Sequence, residues 1–160
     1  MDLRSLSARV GKALKRRGLL LATAESCTGG WVAQAATAIA GSSDWFERGW
    51  VTYSNAAKRE ALGVRRATLA RHGAVSEATA REMARGALAR SRAHLSLAVT
   101  GIAGPTGGTP GKPVGTVCFA WARGRRAWSE TRRFRGGRES VRRQSVARAL
   151  RGVLQALDAA

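Results

Sequence analysis

The stretch LLLATAESCTGG, residues 19–30, runs from apolar residues into small polar ones and ends in two glycines. It predicts a strand over 19–24, a glycine-containing turn, and a helix over roughly 28–40. Backbone N–H groups at such a helix start have no partner within the helix. With the positive end of the helix dipole they can hold an anion or a developing oxyanion. Ser26 sits at this turn as a nucleophile candidate. Cys27, Thr28, Gly29 and Gly30 follow it and are candidates for contact with a substrate.

Upstream, Leu3, Leu6, Val10 and Leu14 recur at helical spacing and predict an amphipathic helix over 2–17. This segment is basic, yet it has no continuous apolar core and no cleavage site, so it reads as a packed helix and not as a signal peptide. Downstream, Gly41 to Asp44 breaks the second helix. A strand is expected over 50–53, then short helices over 54–62 and 65–72. Ser76 caps a helix that buries Ala80, Met83, Ala84, Ala87 and Leu88. Leu95 to Thr100 reads as a strand entering Gly101. Residues 115–122 and 125–134 read as a hairpin turning at Arg123-Gly124. The last helix follows Gly136-Gly137 and buries Val146, Leu150, Val153, Leu154 and Leu157.

Helices alternate with strands early and a hairpin comes late. The expected fold is a single α/β domain over residues 1–160, with a mixed, mostly parallel sheet between helices. Ligands in such sheets bind at the carboxyl ends of the strands. Three segments end there: Glu25 to Thr28, Tyr53-Ser54-Asn55, and Thr100 to Gly104. They are expected to converge on one site.

The formal net charge is +18, which raises a nucleic-acid role. Lys12, Lys15, Lys58 and Lys112 are the only lysines, and arginine is spread along the whole chain. That distribution reads as compositional bias on solvated faces, with no RNP pattern, zinc finger or aromatic platform, so no specific nucleic-acid partner is expected. No apolar run reaches membrane-spanning length. Cys27 and Cys118 lie far apart without metal-type spacing, which suits free thiols in the cytoplasm. No metal or cofactor is expected.

Ser26 needs a base. His72 and His94 lack acidic neighbours in sequence and read as surface or structural residues. A lysine can serve if burial lowers its pKa. Lys58 fits best, five residues after Tyr53 and just past a strand end. Tyr53 reads either as a sheet aromatic or as a proton relay beside that lysine. Ser54 competes with Ser26, because it lies four residues before Lys58, but it fits a helix cap better. Cys27 lacks a thiol-activating partner. The glycine-dense run from Thr100 to Gly108 reads as a surface turn or an anion-binding loop. Gly111-Lys112-Pro113 lacks the Ser/Thr of a P-loop, so a nucleoside triphosphate site is not expected.

AESCTGG (24–30), VTYSNAAKREALGV (51–64), GAVSEATAREMARGA (73–87) and VTGIAGPTGGTPGKPVGTV (99–117) together resemble the CinA C-terminal domain family. The resemblance covers nearly the whole chain in order, and at this length the chain looks like the free-standing form of the domain. It implies a three-layer α/β/α sandwich and hydrolysis of the carboxamide of nicotinamide mononucleotide (NMN). The products are nicotinic acid mononucleotide and ammonia, in pyridine-nucleotide salvage. The family's catalytic serine, tyrosine, lysine and threonine fall on Ser26, Tyr53, Lys58 and Thr100. Asn55, Gly101, Gly104 and Arg138 join the turn residues as expected substrate contacts, and a homodimer is the expected assembly. The alternatives are an amidase for another small amide, or a non-enzymatic basic adaptor in competence or DNA damage. One departure stands out: the family often has Gly-Asp-Arg before the last helix, where this chain has Gly136-Gly137-Arg138. If that acid orients the arginine, substrate affinity or choice differs here.

Overall fold

In the computed structural model, which describes residues 2–159, the apolar run forms strand β1 (Leu21–Glu25) with every residue buried. Burial on both faces is why the run does not alternate. β1 lies between two parallel neighbours, β2 (Phe46–Val51) and β3 (Leu95–Gly101). β4 (Thr116–Arg123) pairs antiparallel with β3, and β5 (Arg126–Arg133) antiparallel with β4, giving the order β2-β1-β3-β4-β5. The fold is a single-domain, mixed α/β sandwich.

One face of the sheet is covered by α1 (Leu3–Arg17), α2 (Trp31–Thr37) and α6 (Arg138–Asp158). Leu6, Val10 and Leu14 of α1 meet Val146, Leu150 and Val153 of α6 over Phe119 and Trp121. Each such leucine contributes about 1.5–3 kcal/mol by leaving water. The other face carries α3 (Asn55–Leu62), α4 (Arg66–His72) and α5 (Glu77–Ala89). Its core is built largely from alanines, among them Ala24, Ala80, Ala84, Ala87, Ala98 and Ala120. Small side chains bring α5 close enough for Ser96 Oγ to donate to the Ala84 carbonyl at 2.6 Å.

Local chemistry sets the helix starts. Asp2 accepts the Ser5 N–H at 2.8 Å, Ser54 the Ala57 N–H at 3.0 Å, and Ser76 the Thr79 N–H at 3.1 Å. Two expected boundaries are corrected. The second strand is Phe46–Val51 and not 50–53, so Tyr53 lies beyond its end. It is an edge strand that carries Glu47, Arg48 and Gly49, which hid it from a reading based on apolar runs. The second helix begins at Trp31 and not near residue 28, because Gly29 and Gly30 have φ of +60° and +103°. That left-handed backbone suits glycine and cannot continue a helix.

No helix among the described residues is long and apolar enough to cross a membrane.

Candidate active site

The three strand-end segments meet in a cavity of about 200 Å³. Ser26 and Cys27 reach it from β1, Tyr53, Asn55 and Lys58 from the start of α3, and Thr100 and Gly101 from the end of β3; Arg138 of α6 lies at its edge.

Lys58 is among the largest fully buried side chains of the described residues, at 1 % exposure. It and Leu62 form the buried stripe of α3, one helical turn apart. The Ser54 cap starts α3 so that this stripe faces the sheet. The ammonium Nζ donates to Ser26 Oγ at 3.1 Å and to the Thr52 carbonyl at 3.1 Å. Burial lowers the Lys58 pKa, opposed weakly by the Cys27 thiol. The cause is desolvation, the condition that the sequence reading set for a lysine base. A buried lysine in contact with a serine hydroxyl is the arrangement that activates an alcohol as a nucleophile.

Glu25 completes the turn, and sequence reasoning missed it. It is 1 % exposed; one carboxyl oxygen accepts Thr28 Oγ1 at 2.6 Å and the Val32 N–H at 2.8 Å, the other the Ala33 N–H at 3.0 Å. Glu25 therefore occupies the N-terminus of α2, so that helix end is not the free anion site first expected. Thr28 is fully buried with its hydroxyl committed to Glu25. The Gly29 N–H is also committed, to the Ser26 carbonyl at 3.0 Å. Thr28 and Gly29 thus shape the turn, and Thr28, Gly29 and Gly30 do not line the cavity. Among the described residues no carbonyl accepts the N–H of Cys27 or of Thr28, and that of Cys27 meets its own thiol.

Arg142 is the second residue that sequence reasoning missed. Its Nε donates to the Cys27 carbonyl and its Nη2 to the Thr28 carbonyl, each at 3.1 Å. The available signal was its spacing, one helical turn after Arg138 on α6.

Tyr53 is 62 % exposed, and its hydroxyl accepts from Arg138 Nη2 at 3.2 Å. It does not lie between Ser26 and Lys58, whose direct contact needs no relay. Arg138 Nη1 donates to the Gly104 carbonyl at 2.8 Å. Thr100 is buried, and its hydroxyl donates to the Ala74 carbonyl at 2.8 Å, tying β3 to the loop before α5. Asn55 is exposed at the rim. Gly104 is buried and meets the site only through Arg138. Cys27 is 6 % exposed, and burial pushes its thiol up to about 12, which leaves almost no thiolate. Ser54 is spent on its cap. His94 Nδ1 accepts the Leu20 N–H at 2.9 Å, a structural role. No group of three or more metal-type ligands occurs among the described residues.

Gly137, where the family often has Asp, is the N-cap of α6, with no side-chain cap bond. Arg138 is oriented without that acid, by Gly104 and Tyr53. At φ −76° and ψ 179° the position accepts any residue. Gly137→Asp should therefore cap the helix and raise stability by about 0.3–1 kcal/mol. Thermal melts of the two proteins check this; an unchanged or lower Tm would mean that the cap does not form.

The CinA C-terminal domain model matches residues 3–157. The chain is 58% identical over 156 residues to the nicotinamide-nucleotide amidohydrolase PncC of Escherichia coli strain K12, covering 96% of this chain and 94% of that protein. It is 57% identical over 157 residues to the protein of the same name from Shigella flexneri, with the same coverage. Among solved structures, the competence/damage inducible protein CihA of Agrobacterium tumefaciens superposes with a TM-score of 0.94 at 48% identity, covering 99% of this chain and 96% of that one.

Proposed function

This chain belongs to the CinA C-terminal domain family and is an amidohydrolase, and on that premise we propose that it hydrolyses the carboxamide of NMN with Ser26 as nucleophile and Lys58 as base. The observation that carries the reading is the 3.1 Å contact between the buried Lys58 Nζ and Ser26 Oγ. The names of the relatives supply the substrate.

Neutral Lys58 takes the Ser26 proton as Oγ attacks the amide carbon. The Thr52 carbonyl keeps one N–H of Lys58 engaged and so aims its lone pair at Ser26. The N–H of Cys27, which follows the nucleophile and lines the cavity, receives the oxyanion. The carbon–nitrogen bond then breaks, and Lys58 returns the proton to the departing ammonia. Water, deprotonated by Lys58, attacks the acyl ester. The carbon–oxygen bond to Ser26 breaks, and the serine takes the proton back. Nicotinic acid mononucleotide leaves.

A cavity of about 200 Å³ is smaller than the about 300–1,000 Å³ of clefts for drug-sized ligands. It suits the pyridine carboxamide alone. The ribose phosphate then lies at the rim, where Arg138 and Asn55 stand. Arg138 carries the phosphate in this reading, in preference to the loop from Gly101 to Gly108. A binding module acting in competence would have no need of a buried lysine on a serine.

The test is ammonia release by purified protein, with NMN, nicotinamide and a simple aliphatic amide compared. Turnover of NMN well above the others is expected. Turnover of another amide with none of NMN would leave the amidase and overturn the substrate. Cys27→Ser should keep most of this activity, because the thiol is hardly ionised. An inactive, well-folded Cys27→Ser protein would mean that the nucleophile is the neighbouring residue.

A further inference from the structure

We propose that Arg142 is a positioning residue that presets the oxyanion hole by holding the carbonyl side of the nucleophile turn. This rests on the reading of Ser26 as nucleophile.

The argument is one of peptide geometry. In a trans peptide the C=O and the N–H point in opposite directions. The Ser26 carbonyl accepts the Gly29 N–H, which directs the Cys27 N–H the other way. The Cys27 carbonyl accepts Arg142 Nε, which directs the Thr28 N–H away from α6. Both peptide planes that flank Cys27 are thereby fixed, and Cys27 lines the cavity beside Ser26, so its N–H is held in one orientation there. Arg142 Nη2 also takes the Thr28 carbonyl, so one planar guanidinium fixes two successive carbonyls. A flexible ammonium could not reproduce that fork.

The surroundings hold Arg142 in this pose. It is half-buried, and its guanidinium lies over the Trp31 ring at 5.5 Å. Gly29 leaves room for it, since a Cβ there would come within 3.3 Å of Nη2. Glu25 grips the same turn from the opposite side through Thr28, Val32 and Ala33. Free rotation of these peptides would cost the transition state and not the ground state, because the full oxyanion exists only in the former.

The experiment compares Arg142→Lys and Arg142→Ala with the wild type in steady-state ammonia release from NMN. Arg142→Lys keeps the charge and much of the stem, so it guards against loss of the fold. Both variants should lose kcat by about tenfold to a hundredfold with KM nearly unchanged, Arg142→Ala more than Arg142→Lys. The midpoint of the kcat–pH profile should stay put, because Lys58 is untouched. Low-millimolar guanidinium should restore part of the Arg142→Ala rate and leave Ser26→Ala dead. A rise in KM with kcat unchanged would overturn the proposal and make Arg142 a substrate contact. A kcat loss that guanidinium does not relieve and that tracks a fall in Tm would reduce it to a packing role. Should Ser26→Ala prove active, the reading of the nucleophile fails, whatever the Arg142 variants do.

Discussion

Ser26→Ala is expected to abolish ammonia release from NMN, lowering kcat by about four orders of magnitude or more. The Oγ that it removes is the one hydroxyl hydrogen-bonded to Lys58 among the described residues. The loss should not come from unfolding. Ser26 is held by its backbone, whose N–H donates to the Val99 carbonyl at 2.9 Å, and alanine keeps that bond. Lys58 loses one partner but retains the Thr52 carbonyl, so a change of about 1 kcal/mol is the scale to expect. Steady-state assay together with a thermal melt checks both parts. A folded Ser26→Ala protein with near wild-type turnover would remove Ser26 from the chemistry. Neither neighbour offers an easy replacement, as Cys27 is un-ionised and Ser54 is occupied in capping α3.

Lys58→Arg should fail as completely as Lys58→Met, each by about two to four orders of magnitude in kcat. Guanidinium keeps the charge but cannot be deprotonated in a protein. The sign of the pH dependence follows from the same point. The working form of Lys58 is the neutral amine, and burial lowers its pKa from the ordinary lysine value. Activity should therefore rise with pH as Lys58 loses its proton and level off above its pKa, below the range in which an exposed lysine titrates. Both variants are to be measured across pH with circular dichroism as the check on folding, since Lys58 is 1 % exposed and arginine is larger. Substantial turnover by Lys58→Arg would make Lys58 a binding cation and send the search for the base to Tyr53, whose hydroxyl rests on Arg138.

Much of this architecture was legible residue by residue. The apolar runs that read as strands over 19–24 and 95–100 are strands at 21–25 and 95–101, apolar because both of their faces are covered. The stripe of α1 and the caps at Ser54 and Ser76 needed only helical spacing and an oxygen placed before it. Ser26 and Lys58 stood out as a nucleophile and a candidate base. The edge strand β2 and the start of α2 were misplaced, since charged edge residues and two left-handed glycines break the apolar pattern.

What the chain by itself determined is which residues are apolar, which can bend backwards and which can cap, for these depend on a residue and its near neighbours. The tertiary structure alone decided that Lys58 touches Ser26 across 32 positions and that Arg142 reaches Cys27 across 115. It also turned Glu25 inward onto α2, buried Thr28 behind it and left Tyr53 outside, bound to Arg138. The physical reason is that a pKa depends on how much water the surroundings exclude, and a hydrogen bond on where a distant group ends up. Both are properties of the assembled sheet order and of the helices packed on its two faces, and no local pattern in the chain carries them.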